Sequence, residues 1–254
     1  MEVFLPLYHM DMANDQKKVS RFTRLTERNK KIFSNVVTVL ILVVVIAVIV
    51  LFASRSPGSQ NVIPLSGTEI TWYKWEKLSS ISDFIENSIK GPQYININKY
   101  KLKIDGLVDK KLSLAYNAVL SHTGYSKVVT LNCVEGWSVK ILWQGVLLKD
   151  LLNEAGIQSW SNTVIFYAYD GYSSSLPLQY IMNNNILLAY KMNGVVIPPA
   201  RGFPFMVVAE NKWWYKWVKW VTEIKVSNDP TFKGYWERAW YNQTGDLTWP
   251  IIGN

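Results

Sequence analysis

The sequence has 254 residues, a net charge of +8, one cysteine and two histidines. A single cysteine excludes internal disulfides, and His9 with His122 is too few for a metal site built from histidines. The motif Cys-x-x-Cys-His is also missing from the sequence, which excludes a c-type haem.

The N-terminal part joins a basic segment to an apolar one. Residues 1–31 are polar and rich in lysine and arginine, whereas residues 32–53 are almost wholly apolar. Because about 20 apolar residues span the hydrocarbon core of a bilayer, residues 32–53 are predicted to be a transmembrane anchor. The basic flank keeps the N-terminus in the cytoplasm, so we expect a single-pass protein of the cell membrane whose main domain is extracellular or periplasmic.

Two other interpretations of this region concern export. The apolar run is longer than a usual signal peptide, and Phe52-Ala-Ser-Arg55 is a poor cleavage site, which favours an anchor. A twin-arginine export signal would need arginines where Lys30 and Lys31 stand. Residues 54–80, rich in proline, glycine and serine at their start, are then a tether and lead-in. They precede the main predicted domain, residues 81–245.

The elements predicted for this domain alternate irregularly. Residues 100–108 alternate apolar and polar side chains, as in a half-buried strand. Further strands are predicted over residues 127–133, 163–169, 186–192, 195–197, 203–209 and 213–226. Helices are predicted over residues 112–121 and 147–155, the second ended by Gly156. Asn193-Gly194 is typical of a two-residue hairpin. Strands outnumber helices, so the predicted class is α+β with a mixed β-sheet core.

Cys133 lies at the end of a predicted strand, immediately before the turn Glu135-Gly-Trp137. On residue type alone, a free cysteine is most often a small buried hydrophobic residue, and that alternative stays open. A thiolate is also a soft metal ligand and a nucleophile. Since functional residues concentrate in the connections at strand ends, the position favours a site.

Several sequence blocks surround and follow this cysteine: Leu131-Asn-Cys-Val-Glu-Gly-Trp-Ser138 with Trp143–Leu152, then Tyr169–Leu178, and then Leu187–Gly194 with Pro198–Pro204. Together they resemble the molybdopterin-binding domain of the sulfite oxidase family. The resemblance is strongest with the branch that includes the periplasmic methionine-sulfoxide reductase catalytic subunit. It implies a sulfite-oxidase-like fold, a molybdenum–molybdopterin cofactor and oxidoreductase activity.

The resemblance also implies roles for individual residues. Cys133 is the implied thiolate ligand to molybdenum, and Tyr172 the implied hydroxyl beside the substrate. Trp137 is expected to help Tyr172 hold the substrate. Without the resemblance, Tyr172 is equally well a turn tyrosine with a solvated hydroxyl. The implied cofactor-binding residues are Ile85, Glu86, Cys133, Arg201, Tyr215, Lys216 and Lys219, with Ile85 and Glu86 acting more through the backbone than through their side chains.

The basic residues of this set suit the negatively charged phosphate of the cofactor. A buried phosphate needs cations, which Arg201, Lys216 and Lys219 offer. On a strand, Lys216 and Lys219 point to opposite faces, so both reach one ligand only if the chain bends there. The aromatic residues interleaved with these lysines favour nucleic-acid stacking in a cytosolic protein, but not in an exported domain, and no nucleic-acid partner is expected.

The sequence departs from sulfite oxidases at their substrate-binding arginines. Gly136-Trp137-Ser138 and Glu86 stand where that family uses arginines to hold sulfite, and Met206 stands where an arginine commonly contacts the cofactor. Without these cations an oxyanion substrate loses its electrostatic reason to bind. We therefore expect oxygen-atom transfer to or from a small neutral substrate such as a sulfoxide.

The electrons are expected to be exchanged with a membrane cytochrome or a quinone-linked subunit, because the chain offers no site for haem or flavin. Two alternatives stay open at this point. The chain could be a non-catalytic extracellular binding module that uses its many tryptophans and tyrosines as a platform. It could also be a structural subunit of a respiratory complex that keeps only the fold.

Overall fold

The computed structural model describes residues 29–30, 32–47 and 68–253. Most of the predicted basic tail, residues 48–53 of the predicted anchor and residues 54–67 of the predicted tether lie outside this description. The chain divides into two compact units between residues 59 and 60. In the first unit, residues 32–47 are helical and their side chains are exposed. None of the helices described is both long enough and apolar enough to cross a membrane.

Strands dominate residues 68–253. The strands are β1 Trp72–Tyr73, β2 Glu76–Lys77, β3 Leu102–Gly106, β4 Leu112–Leu114, β5 Gly124–Asn132, β6 Ser138–Leu147, β7 Thr163–Ala168, β8 Ser173–Pro177, β9 Leu187–Met192, β10 Val195–Val196, β11 Met206–Val208 and β12 Val221–Ser227. The helices are α1 Tyr116–Leu120, α2 Leu148–Ala155 and α3 Leu178–Asn183. Short 3-10 turns occur at Ile81–Asp83, Pro199–Arg201, Trp214–Lys216 and Glu237–Ala239.

Within these residues the strands build two larger sheets and one hairpin. Sheet I has the order β4-β3-β12-β7-β8, in which β3 and β12 are parallel and the other pairs antiparallel. Sheet II has the order β10-β9-β6-β5, is antiparallel, and adds β11 against β9. The hairpin joins β1 and β2. The predicted α+β class with a mixed β-sheet core is confirmed.

One continuous apolar core joins the two sheets. Leu102 and Ile104 of sheet I and Ile141 and Leu188 of sheet II are all fully buried members of it. β6 is buried along nearly its whole length, on both faces of sheet II. Its sequence is accordingly apolar at consecutive positions rather than at alternate ones.

The hairpin predicted at Asn193-Gly194 is confirmed. Asn193 has φ +47° and Gly194 φ +82°, the left-handed pair that a type I′ turn requires. The Asn193 side chain is buried, accepts from the Leu142 amide at 2.9 Å and donates to Glu69 Oε1 at 2.9 Å. The turn therefore holds Glu69 of the lead-in segment against sheet II through hydrogen bonds of the Asn193 side chain. The predicted helix before Gly156 is also present as α2, and Gly156 has φ +71°.

Two predicted elements were wrong in part. The helix predicted over residues 112–121 begins only at Tyr116, because Leu112 and Leu114 pair with β3 at the edge of sheet I. The strand predicted over residues 213–226 begins only at Val221. Trp214–Lys216 instead forms a 3-10 turn, and Trp220 has φ +53°, which a strand does not accommodate. In both cases tertiary contacts override the local pattern.

The fold brings connections from both sheets to one place. Cys133 lies in the β5–β6 connection, and residues 169–172 form the β7–β8 turn. Residues 209–220 cross from sheet II to sheet I between β11 and β12, and a bridge between Asn132 and Trp213 holds this crossing beside the cysteine connection. A cleft forms where these connections meet residues 87–89 and residues 236–241.

Candidate active site

The cleft encloses about 710 Å³ of empty space, its open mouth included. Its lining residues come from the connections named above, and six of the fifteen are aromatic residues from residues 213–220 and 236–241. Of the residues predicted for the site, Cys133, Tyr172, Tyr215 and Lys219 line the cleft together. The volume is in the range of small-molecule and cofactor sites.

The turn after β5 fixes the position of Cys133. Gly136 has φ +89° and donates its amide to the Cys133 carbonyl at 3.1 Å, which closes the turn. The Cys133 sulfur accepts from the Glu135 amide at 3.5 Å and lies 3.7 Å from Glu135 Oε2. The Glu135 carboxylate accepts from Trp137 Nε1 at 3.2 Å and from Asn87 at 3.1 Å. Trp137 therefore reaches the cysteine through Glu135.

Burial controls the chemistry of this thiol. The Cys133 side chain is only 4% exposed. Burial, with a smaller contribution from the Glu135 carboxylate, raises the pKa of the thiol to about 11. A bare thiol in this place stays protonated at neutral pH, so it becomes a thiolate only when a cation lies beside it.

Among the described residues that line the cleft, Lys219 is the one cation. Its ammonium donates to the Asn87 carbonyl at 2.7 Å and to Glu86 Oε1 at 3.1 Å. It also lies 4.3 Å from the ring centre of Trp220. Burial lowers the pKa of Lys219 to about 8, although Glu86 raises it. Glu86 thus enters the site as the partner of this lysine.

Arg201 is the third basic residue predicted for the site. Its guanidinium is 5.2 Å from the ring centre of Phe84. Burial lowers its pKa, and the charge of Glu86 opposes that change. The charge of Arg201 also contributes to the lowered pKa of Lys219. Ile85, the residue before Glu86, is 50% exposed. Neither Arg201 nor Ile85 is among the residues that line the cleft.

Tyr172 and Tyr215 are linked by a hydrogen bond. The Tyr172 hydroxyl donates to the Tyr215 carbonyl, and the Tyr215 hydroxyl donates to the Asn242 carbonyl at 2.8 Å. Burial, followed by the charge of Glu237, raises the pKa of Tyr172 well above its usual value. Both hydroxyls therefore stay protonated at neutral pH, and the Tyr172 ring is held in place at the wall.

Lys216 is not among the residues that line the cleft. Its side chain is fully buried, and its ammonium pairs with Glu237 Oε1 at 2.6 Å and donates to the Gln243 carbonyl at 2.9 Å. The bend that the sequence required for Lys216 and Lys219 to reach one ligand is present, yet the two lysines take different carboxylate partners. The contact of Lys216 with the cofactor phosphate stays a prediction.

Some residues of the site were not predicted from the sequence. Ser88, Glu135, Asp170, Trp214, Trp236 and Tyr241 all line the cleft. Trp214 packs edge-on against Trp137 with 4.8 Å between ring centres. Asp170 and Tyr241 carry no local signal, since only the folded chain brings them here. Met206, by contrast, is a fully buried core residue of β11.

Residues 89–236 match the family described as the oxidoreductase molybdopterin binding domain. This match covers more than half of the sequence. The chain belongs to this family. It is a molybdenum-dependent oxidoreductase of the sulfite oxidase type, with molybdenum–molybdopterin as its cofactor.

Relatives of this molybdopterin oxidoreductase support the same assignment. The uncharacterized oxidoreductase YuiH of Bacillus subtilis is 33% identical over 156 residues, which cover 61% of this chain and 78% of that protein. The protein-methionine-sulfoxide reductase catalytic subunit MsrP of Xanthomonas campestris is 25% identical over 190 residues, 66% of this chain and 57% of that one. Human mitochondrial sulfite oxidase is 28% identical over 199 residues, 66% of this chain and 36% of that enzyme.

A solved structure shows the fold. The sulfane dehydrogenase SoxCD of Paracoccus pantotrophus superimposes with a TM-score of 0.53 at 22% identity, over 58% of this chain and 42% of that one. The α+β architecture is therefore shared with this sulfane dehydrogenase. The chain spans little more than half the length of the methionine-sulfoxide reductase subunit and about a third of the sulfite oxidase.

The residues around the cleft fit the cofactor. Cys133 offers a buried sulfur, and a thiolate is a soft metal ligand. The Ser88 hydroxyl is buried without a hydrogen-bond partner among the described residues, which costs stability unless a bound polar group reaches it. Lys219 supplies a buried cation for an anionic group. Aromatic walls suit the flat pterin rings.

When bound, the cofactor supplies two-electron oxygen-atom transfer. The chain supplies binding, orientation and exclusion of water. Cys133 would hold the metal, and Lys219 with Arg201 would compensate the phosphate charge. Tyr172 and Tyr215 keep their protons and hold the wall in one arrangement. Because the walls are aromatic and largely buried, electrostatic interactions inside the cleft are stronger than in water.

Proposed function

We propose that this oxidoreductase transfers an oxygen atom to or from a small neutral substrate, a sulfoxide rather than sulfite. The observation that carries the proposal is the charge of the cleft wall. Among the described lining residues, Glu135 and Asp170 are acidic and Lys219 is the cation, and Lys219 is already paired with Glu86. Because Lys219 is also the residue assigned to the cofactor phosphate, no cation among the described lining residues is left for sulfite, which would approach carboxylates at a cost of several kcal/mol.

The aromatic lining supports the same choice. Sulfur and methyl groups make favourable contacts with the edges and faces of aromatic rings. Tyr172 and Trp214 present rings to the cleft, and Trp137 packs behind Trp214. A methyl sulfoxide fits these contacts without bringing a charge into a poorly hydrated site. The name of the Xanthomonas relative, a methionine-sulfoxide reductase subunit, agrees with this substrate class.

Steady-state kinetics on the molybdenum-loaded enzyme test the substrate. Dimethyl sulfoxide would be assayed with a reduced viologen as electron donor, and sulfite with ferricyanide as acceptor. We expect kcat/KM for the sulfoxide to exceed that for sulfite by about 100-fold, because like charges repel in the cleft. In Glu135→Gln, removal of one carboxylate is expected to raise kcat/KM for sulfite by about tenfold. Efficient oxidation of sulfite by the wild type would contradict the proposal.

The electrons would be exchanged with a separate membrane redox protein, either a cytochrome or a quinone-linked subunit. The sequence offers no haem motif and only two histidines, so a second protein has to carry the electrons. An anchor over residues 32–53, with the N-terminus in the cytoplasm, would hold the oxidoreductase domain beside that partner on the outer side of the membrane. The basic residues before the apolar run and the scarcity of charge after it support this orientation.

Membrane fractionation tests the anchor. The full chain is expected to sediment with membranes and to stay there in high salt and in alkaline carbonate, whereas a chain beginning at Thr68 is expected in the supernatant. Release of the full chain by carbonate would contradict the proposal. Protease added to intact spheroplasts is expected to digest the domain, which tests the orientation separately.

A further inference from the structure

Residues 234–246, here called the strap, contribute to the cleft wall although the family match ends at residue 236. Trp236 and Tyr241 both line the cleft, and their ring centres are 5.1 Å apart. Tyr241 also packs edge-on against Tyr215 at 5.1 Å between ring centres. One part of the wall is therefore built by a segment that lies at and beyond the end of the common domain.

The strap begins packed against β8. A Cβ on Gly234 would come within 2.2 Å of the Ser173 carbonyl oxygen, so only glycine allows this approach. Tyr235 donates its amide to the same carbonyl at 2.8 Å. The Glu237 carboxylate, 2% exposed, accepts from the Ser174 hydroxyl at 2.6 Å. The first part of the strap is thereby fixed to sheet I.

Lys216 joins the first part of the strap to the last. Its ammonium pairs with Glu237 at 2.6 Å and donates to the Gln243 carbonyl at 2.9 Å. A Cβ on Gly245 would come within 2.3 Å of Lys216 Cγ, so the strap backbone lies directly on the lysine stem. The side chains of both Lys216 and Glu237 are fully buried.

A buried ion pair of this kind adds little net stability, but it favours the one arrangement of the chain in which both partners meet. An apolar pair of the same size is often as stable, whereas removal of one partner leaves a buried charge at a large cost. The Lys216–Glu237 pair therefore disfavours any arrangement that separates the strap from the crossing segment. Trp236 precedes Glu237 and Tyr241 lies two residues before Gln243, so the contacts of Lys216 hold the strap backbone next to both residues.

We propose that the strap selects substrates by size through Trp236 and Tyr241, and that Lys216 is a positioning residue which anchors the strap through Glu237. In this assignment the charge of Lys216 is satisfied within the chain and not by the cofactor phosphate. The choice of sulfoxides as probes rests on the proposed function, whereas the anchoring role does not.

The size selection is tested on the loaded enzyme with dimethyl sulfoxide and the bulkier methyl phenyl sulfoxide. In Tyr241→Ala, the ratio of kcat/KM for the bulky to the small substrate is expected to rise about tenfold, mainly through KM, since a pocket contact of this size has that effect. Trp249→Ala is the matched control, because Trp249 follows the strap, is 62% exposed and does not line the cleft. Equal ratios in Tyr241→Ala, Trp249→Ala and wild type would overturn the size selection.

The anchor is tested with Lys216→Met, Glu237→Gln and the double variant, which removes both charges and keeps an acceptor for Ser174. Trypsin cleavage after the exposed Arg238, followed by mass spectrometry, reports opening of the strap. Each single variant is expected to be cleaved at least about tenfold faster than wild type, and the double variant at a rate closer to wild type. Equal rates in all four proteins would overturn the anchor.

Molybdenum content separates the anchor from cofactor binding. The double variant is expected to keep the molybdenum content of the wild type. Loss of molybdenum from a double variant that still melts cooperatively would show that Lys216 holds the cofactor, and would overturn its positioning role. A wild type that binds molybdenum but reduces no sulfoxide would overturn the proposed function and the size selection with it, while proteolysis would still decide the anchor.

Discussion

Burial determines how single charged residues behave around the cleft. The thiol of Cys133 and the ammonium of Lys219 are both nearly inaccessible, and burial shifts both pKa values toward the neutral form. The two groups share the cleft wall, so a ligand that carries a cation and an anion would restore both charges. A metal complexed by an anionic cofactor has these two features.

Substitution of Lys219 is expected to weaken cofactor binding. Lys219→Gln removes the cation of the wall and is expected to lower cofactor affinity by about tenfold or more, the effect of losing one charged hydrogen bond. Lys219→Arg keeps the charge and is the matched control. Because the pKa of Lys219 in the empty protein is about 8, cofactor capture by the wild type is expected to fall as the pH rises through that value.

Cofactor transfer to the empty protein at pH 6.5 and pH 9.5, followed by elemental analysis, measures both effects. Glutamine is neutral at either pH, so Lys219→Gln is expected to capture the cofactor equally at both. A wild type with the same capture at both pH values, or a Lys219→Gln variant with undiminished capture, would show that Lys219 does not hold the phosphate.

At the scale of elements, close packing of strands fixes sheet II. Gly145 lies in β6 beside the irregular register between β6 and β9. A Cβ there would come within 2.3 Å of the Leu188 carbonyl oxygen, a backbone atom that cannot move aside. Gly124, at the far end of β5, differs: a Cβ there would come within 2.8 Å of the Tyr190 hydroxyl, which is the end of a side chain.

Gly145→Ala is therefore expected to destabilise the fold, and Gly124→Ala to do so far less. The cost at Gly145 is expected to be about 1–3 kcal/mol, as for other overpacked core positions. Urea unfolding followed by circular dichroism compares the two variants. Equal losses of unfolding free energy would show that the close approach of β6 and β9 does not determine the stability of sheet II.

A histidine links the end of α1 to α2. His122 Nε2 lies 2.7 Å from Glu154 Oε2, and Nδ1 lies 3.0 Å from the Ala118 carbonyl oxygen. Burial lowers the pKa of His122, but these acceptors together outweigh it and raise the pKa above 6.5. A raised folded-state pKa stabilises the protein at pH values below the unfolded pKa, and this contribution is lost as the pH rises through the folded value.

His122→Gln is expected to lower the free energy of unfolding more at pH 5.5 than at pH 8.5. The difference is expected to stay under about 1 kcal/mol, because both side chains are partly exposed. Glu154→Gln removes the charged partner of His122, so it is also expected to lower the free energy of unfolding more at pH 5.5 than at pH 8.5. A larger effect of His122→Gln at pH 8.5 would contradict the raised pKa.

The elements that could be predicted from the sequence are those with local signals. Asn193-Gly194 and Gly156 specify a turn and a helix end through their own backbone preferences. The strand at Leu112–Leu114 could not be predicted, because pairing with β3 decides it. The positions of Lys216 and Lys219 could not be predicted either. Their local pattern indicates a strand, whereas the structure has a 3-10 turn at Trp214–Lys216 and pairs Lys216 with Glu237, which lies 21 residues further along the chain.

At the scale of the whole domain, the active site depends on connections rather than on sheets. The two sheets share one core, and the cleft lies where the β5–β6, β7–β8 and β11–β12 connections meet. The motif around Cys133, together with the later sequence blocks, predicted the family, which the family match confirms, whereas the role of Cys133 as the metal ligand stays a prediction. Tyr241 and Ser88 could not be predicted, since only the assembled fold brings them to the cleft.

The molybdenum content of the purified protein, wild type beside Cys133→Ala, tests the central claim most directly. Elemental analysis of the wild type, produced in a host that loads such enzymes, is expected to give near-stoichiometric molybdenum. Cys133→Ala is expected to lose the metal or to change its visible absorption, because the sulfur ligand is removed. A wild type without molybdenum and pterin, or an absorption spectrum unchanged in Cys133→Ala, would contradict the assignment of Cys133 as the metal ligand of a molybdopterin oxidoreductase.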